Sequence, residues 1–257
     1  MFAKKQAWGV EIGSTALKAV QLAIVDGKPQ VLAWKVVEYQ QSEDTDEART
    51  LAIQNAVHDL VEEFRIRPGD PVAVSIPGRS VFSKFIKLPP VEKKRIPEIV
   101  RYESRQQIPF PIDDVVWDYQ PMLEDPPPGE EVEVGIFAVR REIVQERLGL
   151  LAGFGIRPQI IQGGQIALYN YLHYDRKVEG GQVLVDMGAE ASDLIVVGGG
   201  LFWVRNRTTG GAAVTKALQG RLQLSLKDAE KLKRECAISK QAEKILAMMR
   251  PSMATVL

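Results

Sequence analysis

Two stretches of this chain, about 175 residues apart, repeat one pattern: an apolar run with an acidic residue at its end, a glycine-centred bend, then more β-rich sequence. The first runs from Ala7 to Ile12, through Gly13-Ser14-Thr15 to Val25, and then through Asp26-Gly27-Lys28-Pro29 into Val31 to Tyr39. The second runs from Gln182 to Asp186, through Met187 to Ala191, Ser192 to Val197 and the triple glycine 198–200, into Leu201 to Arg207. Gly and Asp-Gly tolerate the positive φ of tight turns, so each stretch reads as a three-stranded meander with two hairpins. A duplicated meander points to two related lobes facing one cleft, and it limits the fold more than any composition figure does.

The sequence between the repeats is organised differently. Behind the acidic approach QSEDTDEART, residues Leu51, Ile53, Ala56, Val57, Leu60, Val61 and Phe64 recur at helical spacing up to the break at Pro68-Gly69. Pro71 to Ile76 and Val81 to Leu88 read as strands around a Pro77-Gly78 turn. Glu92 to Gln107 reads as a charged helix, ended by Pro109 and Pro111. Strands Val115 to Leu123 and Val132 to Val139 flank the proline-rich turn EDPPPGEE; a helix from Glu142 to Phe154, a strand Arg157 to Ile161 and a helix through His173 follow. The expected organisation is α/β: residues 1–77 and 161–180 as a first lobe, 78–160 as an inserted strand-helix-strand-strand subdomain, and 181–257 as a second lobe. From Gly210 the second lobe is helical, with Ser225 and Asp228 at capping spacing.

Composition removes several function classes. The 257 residues carry 33 Lys+Arg against 33 Asp+Glu, a neutral balance with no long-range field for nucleic acid. Cys236 is the only cysteine, so neither an intramolecular disulfide nor a multi-cysteine metal site can form. The opening MFAKKQAWGVEIGS has no signal h-region, and no apolar run approaches the roughly 18 to 20 residues of a spanning helix. Direct membrane insertion is therefore not expected, and a membrane connection would run through a partner.

The two bends, Glu11-Ile12-Gly13-Ser14-Thr15 and Asp186-Met187-Gly188-Ala189-Glu190, are the places for chemistry. Amides and hydroxyls around a glycine can cradle phosphate oxygens, and the carboxylates can hold Mg²⁺ through its waters. Either bend alone also suits a plain hairpin; the pairing in matched meanders is what favours phosphate binding.

GVEIGSTALKAVQL resembles the first phosphate loop of the actin-like ATPase superfamily, and VLVDMGAEASDLIVV resembles the second. VSIPGRSVFSKFIKLPP, VRYESRQQIPFPIDDVVWDYQ and GIFAVRREIVQERLGLLAGFGIRPQII are similar to the type IV pilus assembly PilM family, relatives of the cell-division protein FtsA. The resemblance spans about residues 8 to 236. It implies an actin-like ATPase fold, a cytoplasmic scaffold of type IV pilus or type II-like secretion assembly, ATP with Mg²⁺ between the lobes, and a grip on the cytoplasmic N-terminal tail of a PilN-like inner-membrane protein. Carried over by position, Glu11, Gly13, Ser14, Thr15 and Lys18 fall on the first loop, Asp186, Gly188 and Ala189 on the second, and Gly210 and Gly211 on the segment approaching the nucleotide. Glu11 and Asp186 are the implied metal residues, and no residue is implied as a catalytic base.

Glu11 stands where the family has Asp, Glu190 and Ala191 replace hydroxyl residues, and Gln162-Gly163-Gly164-Gln165 replaces an acidic segment, leaving Gln165 to orient a water. A weakened nucleotide site and a degenerate rather than efficient ATPase are therefore expected. The family also continues through more of the second lobe, so that lobe reads as incomplete and the chain as a fragment. Homo-oligomerisation stays open, and the rival readings are a phosphotransferase such as a sugar kinase or an FtsA-like filament former. For the tail, a cleft between the insert and the first lobe lined by Phe82, Phe85 and Ile86 is the expected receptor surface. His58, His173 and Cys236 read as packing or surface residues, Asp113-Asp114 as a solvated turn, and Lys93-Lys94-Arg95 and Arg140-Arg141 as solvated faces.

Overall fold

The computed structural model describes residues 6–39, 45–122, 129–176, 180–198 and 201–255. The proline turn at 126–128, the acidic approach at 40–44, part of the joint at 177–179 and Gly199-Gly200 lie outside the described residues. The chain divides into two units, with the boundary between residues 177 and 178.

In the first unit, strands β1 (Gln6–Ile12), β2 (Ala16–Val25) and β3 (Lys28–Glu38) form the expected antiparallel meander. Helix α1 (Asp46–Phe64) starts where Thr45 Oγ1 accepts from Ala48 N at 3.1 Å, with Asp46 and Glu47 favourably placed in the first turn. Strand β4 (Val72–Ile76) then lies parallel to β1. Strand β5 (Val81–Leu88), helix α2 (Ile96–Gln107), strands β6 (Val115–Pro121) and β7 (Val132–Arg140) and helix α3 (Arg141–Ala152) intervene. The chain returns through β8 (Ile160–Gly163), parallel to β4, and α4 (Gly164–Arg176). The resulting sheet has the order β3-β2-β1-β4-β8.

Trp8, Val10 and Ile12 of β1, Leu17 and Ala19 of β2, and Val72 and Val74 of β4 share one sheet face and bury against Ala56, Val57 and Leu60 of α1. Period-2 strand residues meeting a period-3.6 helix stripe is what makes this core, each buried aliphatic side chain contributing about 1.5–3 kcal/mol. Leu151 at the end of α3 and Ile156 just beyond it join the same core.

The intervening strands make a separate antiparallel sheet of order β5-β7-β6. Ile96, Val100 and Ser104 of α2, spaced four apart, are buried, and the two isoleucine and valine members pack with Leu88, Val132, Val134, Ile136 and Ala138. The helix expected from Glu92 begins at Ile96: Lys93–Arg95 is a 3₁₀ turn, and Pro97, without an N–H, is tolerated only in a first turn. The strand expected at Arg157 begins at Ile160, after Gln159 has tied itself to Val72 through both backbone and side chain.

In the second unit, β9 (Gln182–Met187), β10 (Ser192–Gly198) and β11 (Leu201–Arg207) repeat the antiparallel meander. Helices α5 (Gly211–Leu222), α6 (Leu226–Arg234) and α7 (Ala242–Ala254) pack through Val214, Leu218, Ala229, Cys236, Ile245 and Met249. Ser225 caps α6 as its spacing to Asp228 predicts, accepting from Asp228 N at 3.1 Å.

The shared core makes a testable contrast within α3. Leu151, 1% exposed, should cost about 2–5 kcal/mol of first-unit stability when changed to alanine, and Leu148, 37% exposed, less than about 1 kcal/mol. Urea unfolding with equal losses for the two variants would refute the burial of α3's end.

Candidate functional site

The first bend is fixed from below by its strands. Ile12 and Leu17 face each other across the β1–β2 ladder and are both buried, with Glu11 opposite Lys18 one step further out. Gly13 N donates to Ala16 O at 3.0 Å, closing the turn. A Cβ on Gly13 would stand 2.9 Å from that carbonyl, too close for any side chain without a backbone shift. Tyr39 N donates to Thr15 O at 2.9 Å, so the end of β3 braces the loop. The Ser14 and Thr15 hydroxyls make no hydrogen bond among the described residues. Lys18 Nζ lies 3.0 Å from Glu11 Oε1 in a pair about half exposed on both sides, a contact worth roughly 0–1 kcal/mol that an incoming anion can exchange. Beside it, the buried Tyr39 hydroxyl has no partner; burial pushes it up to about 12, the Glu11 charge adding and Arg147 opposing. Burial in turn lowers the Arg147 pKa from its ordinary value.

The second bend repeats the closure. Asp186 lies opposite Asp193 and Met187 opposite Ser192; Gly188 N donates to Ala191 O at 2.9 Å, and a Cβ on Gly188 would stand 2.8 Å from that oxygen. This bend is also roofed by a helix end. Gly211 N donates to Gly188 O at 2.9 Å and Ala212 N to Ala189 O at 2.8 Å, while Ser192 Oγ donates to Thr209 O at 2.7 Å. Two first-turn amides of α5 thus find acceptors in the loop. Gly210 is obligatory at the crossing, since its Cβ would fall 2.4 Å from Gly188 O and 2.7 Å from Ala189 O.

Behind the helix end sits a polar cluster outside both glycine bends. Lys233 Nζ donates to Gly211 O at 3.2 Å and Thr215 Oγ1 at 2.9 Å, and lies 2.6 Å from Glu230 Oε2; Arg234 Nε reaches Glu230 Oε1 at 2.9 Å. Burial raises the Glu230 pKa, but hydrogen bonds from Lys233, Thr215 and Arg234 outweigh it and hold the carboxyl down at about 2. The signal in the sequence is Glu230-x-x-Lys233-Arg234, acid and base at the i,i+3 and i,i+4 spacing of one helix face.

The bends share a backbone and differ in charge. Position by position, Lys18 in the first corresponds to Asp193 in the second, and the Ser14 and Thr15 hydroxyls to Ala189 and Glu190. Asp193 is 8% exposed; burial raises its pKa, the Asn206 Nδ2 hydrogen bond at 2.9 Å opposes this, and the Asp186 charge adds to it. The first bend therefore offers a cation, hydroxyls and amides, a donor set that fits phosphate oxygens. The second offers carboxylates, while its Gly188, Gly211 and Ala212 amides already have acceptors, a set that fits a hydrated cation rather than an anion. Among the described residues no group of three or more His, Cys, Asp and Glu side chains is placed to hold a metal directly.

Of the other expected residues, Phe82 and Ile86 pack into the α2 side of the insert's sheet, whereas Phe85 meets Phe137 edge-on at 6.1 Å between ring centres; strand alternation puts Phe85 on the opposite face. Gln165 is 1% exposed at the start of α4, and neither its amide nitrogen nor its oxygen has a partner. His58 lies 6.4 Å from the Phe154 ring and His173 stacks on Tyr169, both packing contacts.

A family model described as type IV pilus assembly protein PilM matches residues 9–256. The solved PilM-PilN type IV pilus biogenesis complex is similar over 97% of this chain and 74% of that one, at 28% identity and a TM-score of 0.76. The ethanolamine utilization protein EutJ from Carboxydothermus hydrogenoformans is similar over 97% of this chain and 68% of its own, at 15% identity and a TM-score of 0.52, a likeness of fold. The cytoplasmic domain of EpsL from the Vibrio cholerae type II secretion system covers 78% of this chain and 71% of its own, at 14% identity and a TM-score of 0.49. The α/β architecture is that of the actin-like ATPase fold, as the two phosphate-loop patterns imply.

The Glu230 cluster makes the support of the second bend pH-dependent. Its folded pKa of about 2 lies below the ordinary 4.5, so its stabilisation is complete above about pH 4.5 and is lost as pH falls towards 2. Glu230→Gln should melt below wild type at pH 7 and converge with it near pH 2. A Tm gap that stays constant across that window would show that the carboxylate charge is not what holds α6 to α5.

Proposed function

The chain belongs to the type IV pilus assembly protein PilM family, and on that premise we propose that it is an actin-like scaffold that grips the cytoplasmic N-terminal tail of a PilN-like inner-membrane protein. The observation that carries this reading is the similarity across 97% of the chain to PilM in the PilM-PilN complex. Among the described residues no helix is long and apolar enough to cross a membrane, so the proposed route to the inner membrane is through that partner, from the cytoplasmic side. We divide the chain as the sequence suggests, into a first lobe, an insert at 78–160 and a second lobe from 181. Because Phe82 and Ile86 are taken up by α2, Phe85 is the member of the expected receptor trio that we assign to the tail.

In this reading a nucleotide is a ligand rather than a fuel. Lys18, with the Ser14 and Thr15 hydroxyls and the loop around Gly13, would hold phosphate oxygens; Glu11 and Asp186 would be the residues for Mg²⁺, and Gly188, Ala189, Gly210 and Gly211 shape the second bend without donating to the anion. Bound Mg-ATP would supply a highly charged triphosphate and a labile phosphoanhydride. Glu11, with one more methylene than aspartate and an existing pair to Lys18, weakens the site relative to an aspartate. Gln165 can orient a water through its unpaired amide, but it cannot remove a proton at neutral pH, which favours slow or absent turnover.

Calorimetric titration with a synthetic peptide of the PilN-like N-terminal segment should give saturable binding, with no phosphate release above background when Mg-ATP is added. In parallel, the Glu11→Ala/Asp186→Ala variant should show the same rise in Tm with Mg-ATP as with ATP alone, having lost the part that Mg²⁺ confers. Absence of peptide binding, or rapid phosphoryl transfer to a small sugar, would sink the scaffold reading.

A further inference from the structure

The insert carries a concave pocket of about 440 Å³ that neither bend uses, between α2 and the chain entering β6. Its cations are Arg101, Arg105 and Arg141, and its apolar wall includes Ile112, Val116 and Trp117. Arg101 and Arg105 stand one turn apart on α2, each next in sequence to a buried residue of the helix's packed stripe, Val100 and Ser104. Packing of that stripe fixes where both guanidinium groups emerge. Neither has a carboxylate partner among the described residues. Arg141 is held across the strand entry, Nε donating to Asp113 O at 3.1 Å and Nη2 to Val115 O at 3.0 Å. Asp113 is the single acidic residue in the lining, so three cations face one carboxylate.

Two unpaired like charges at i,i+4 repel, and an anion between them relieves the cost. Planar guanidinium groups match carboxylates in two-point geometry. A small free anion would gain nothing from Ile112, Val116 and Trp117, and a lipid headgroup layer meets convex cationic faces better than a recess walled by a tryptophan. Strand β6 is the outer strand of its sheet, leaving an edge along which an extended segment can lie. We propose that this pocket is a docking site for an acidic peptide of a protein partner, one with Asp or Glu beside an aliphatic or aromatic residue.

The probe is a random-sequence peptide library displayed on phage and selected on the full chain. Selected peptides should alternate Asp or Glu with Leu, Phe or Trp, weaken with added salt, and lose about tenfold or more in affinity for the Arg101→Glu/Arg105→Glu variant. An unchanged Tm and near-UV CD spectrum exclude misfolding of that variant; should it misfold, Arg101→Gln/Arg105→Gln replaces it with a smaller loss in the same direction. Basic binders, or binders indifferent to both variants, would overturn the proposal. So would vesicles rich in phosphatidylglycerol binding wild type but not the variant in the absence of any selected peptide, which would assign the pocket to lipid. The proposal stands apart from the tail reading: the PilN-like peptide should bind the variant normally, and its loss would merge the two surfaces and remove the separate partner.

Discussion

A carbonyl three residues ahead of a glycine sets the geometry of both bends. Ala16 O and Ala191 O each accept from the glycine amide and each stand within 3 Å of where a Cβ would be, so the closure and the glycine require one another. From it follow the ladder registers, and from the registers follow which side chains face each other: Glu11 with Lys18, Asp186 with Asp193. Under the first bend the buried Ile12 and Leu17 anchor the ladder, whereas the second bend is braced by the first-turn amides of α5.

Identical closure with a charge reversed at one position is the chemical point. Replacing a lysine by an aspartate at the equivalent position turns a donor for phosphate oxygens into a second carboxylate, which favours cations. The second bend has also spent its local amides on other work: Gly211 and Ala212 donate down onto it, and Thr215, Glu230 and Lys233 hold the helix end there. One bend is therefore open to an anion, and the other is a braced carboxylate platform.

What the sequence made legible was local. Asp26-Gly27 adopts the paired positive φ values, 51° and 76°, that its residue types favour, and the capping of α6 by Ser225 follows from one side chain and its spacing. The docking of α5 on the second bend was illegible because it runs between backbone groups more than twenty residues apart, for which residue type carries no signal beyond Gly210 itself. Phe82, Phe85 and Ile86 share hydrophobic character in the sequence, but period-2 alternation separates Phe85 from the others. The arginine pocket needed α2 packed against its sheet before Arg101 and Arg105 could be seen to converge with Arg141.

The division of labour between the bends is tested most directly by measuring nucleotide affinity of Lys18→Ala and Asp186→Ala with and without Mg²⁺. Lys18→Ala should weaken binding equally in both conditions, whereas Asp186→Ala should remove only the gain that Mg²⁺ confers. Loss of Mg²⁺-independent binding in Asp186→Ala, together with unimpaired binding in Lys18→Ala, would contradict it.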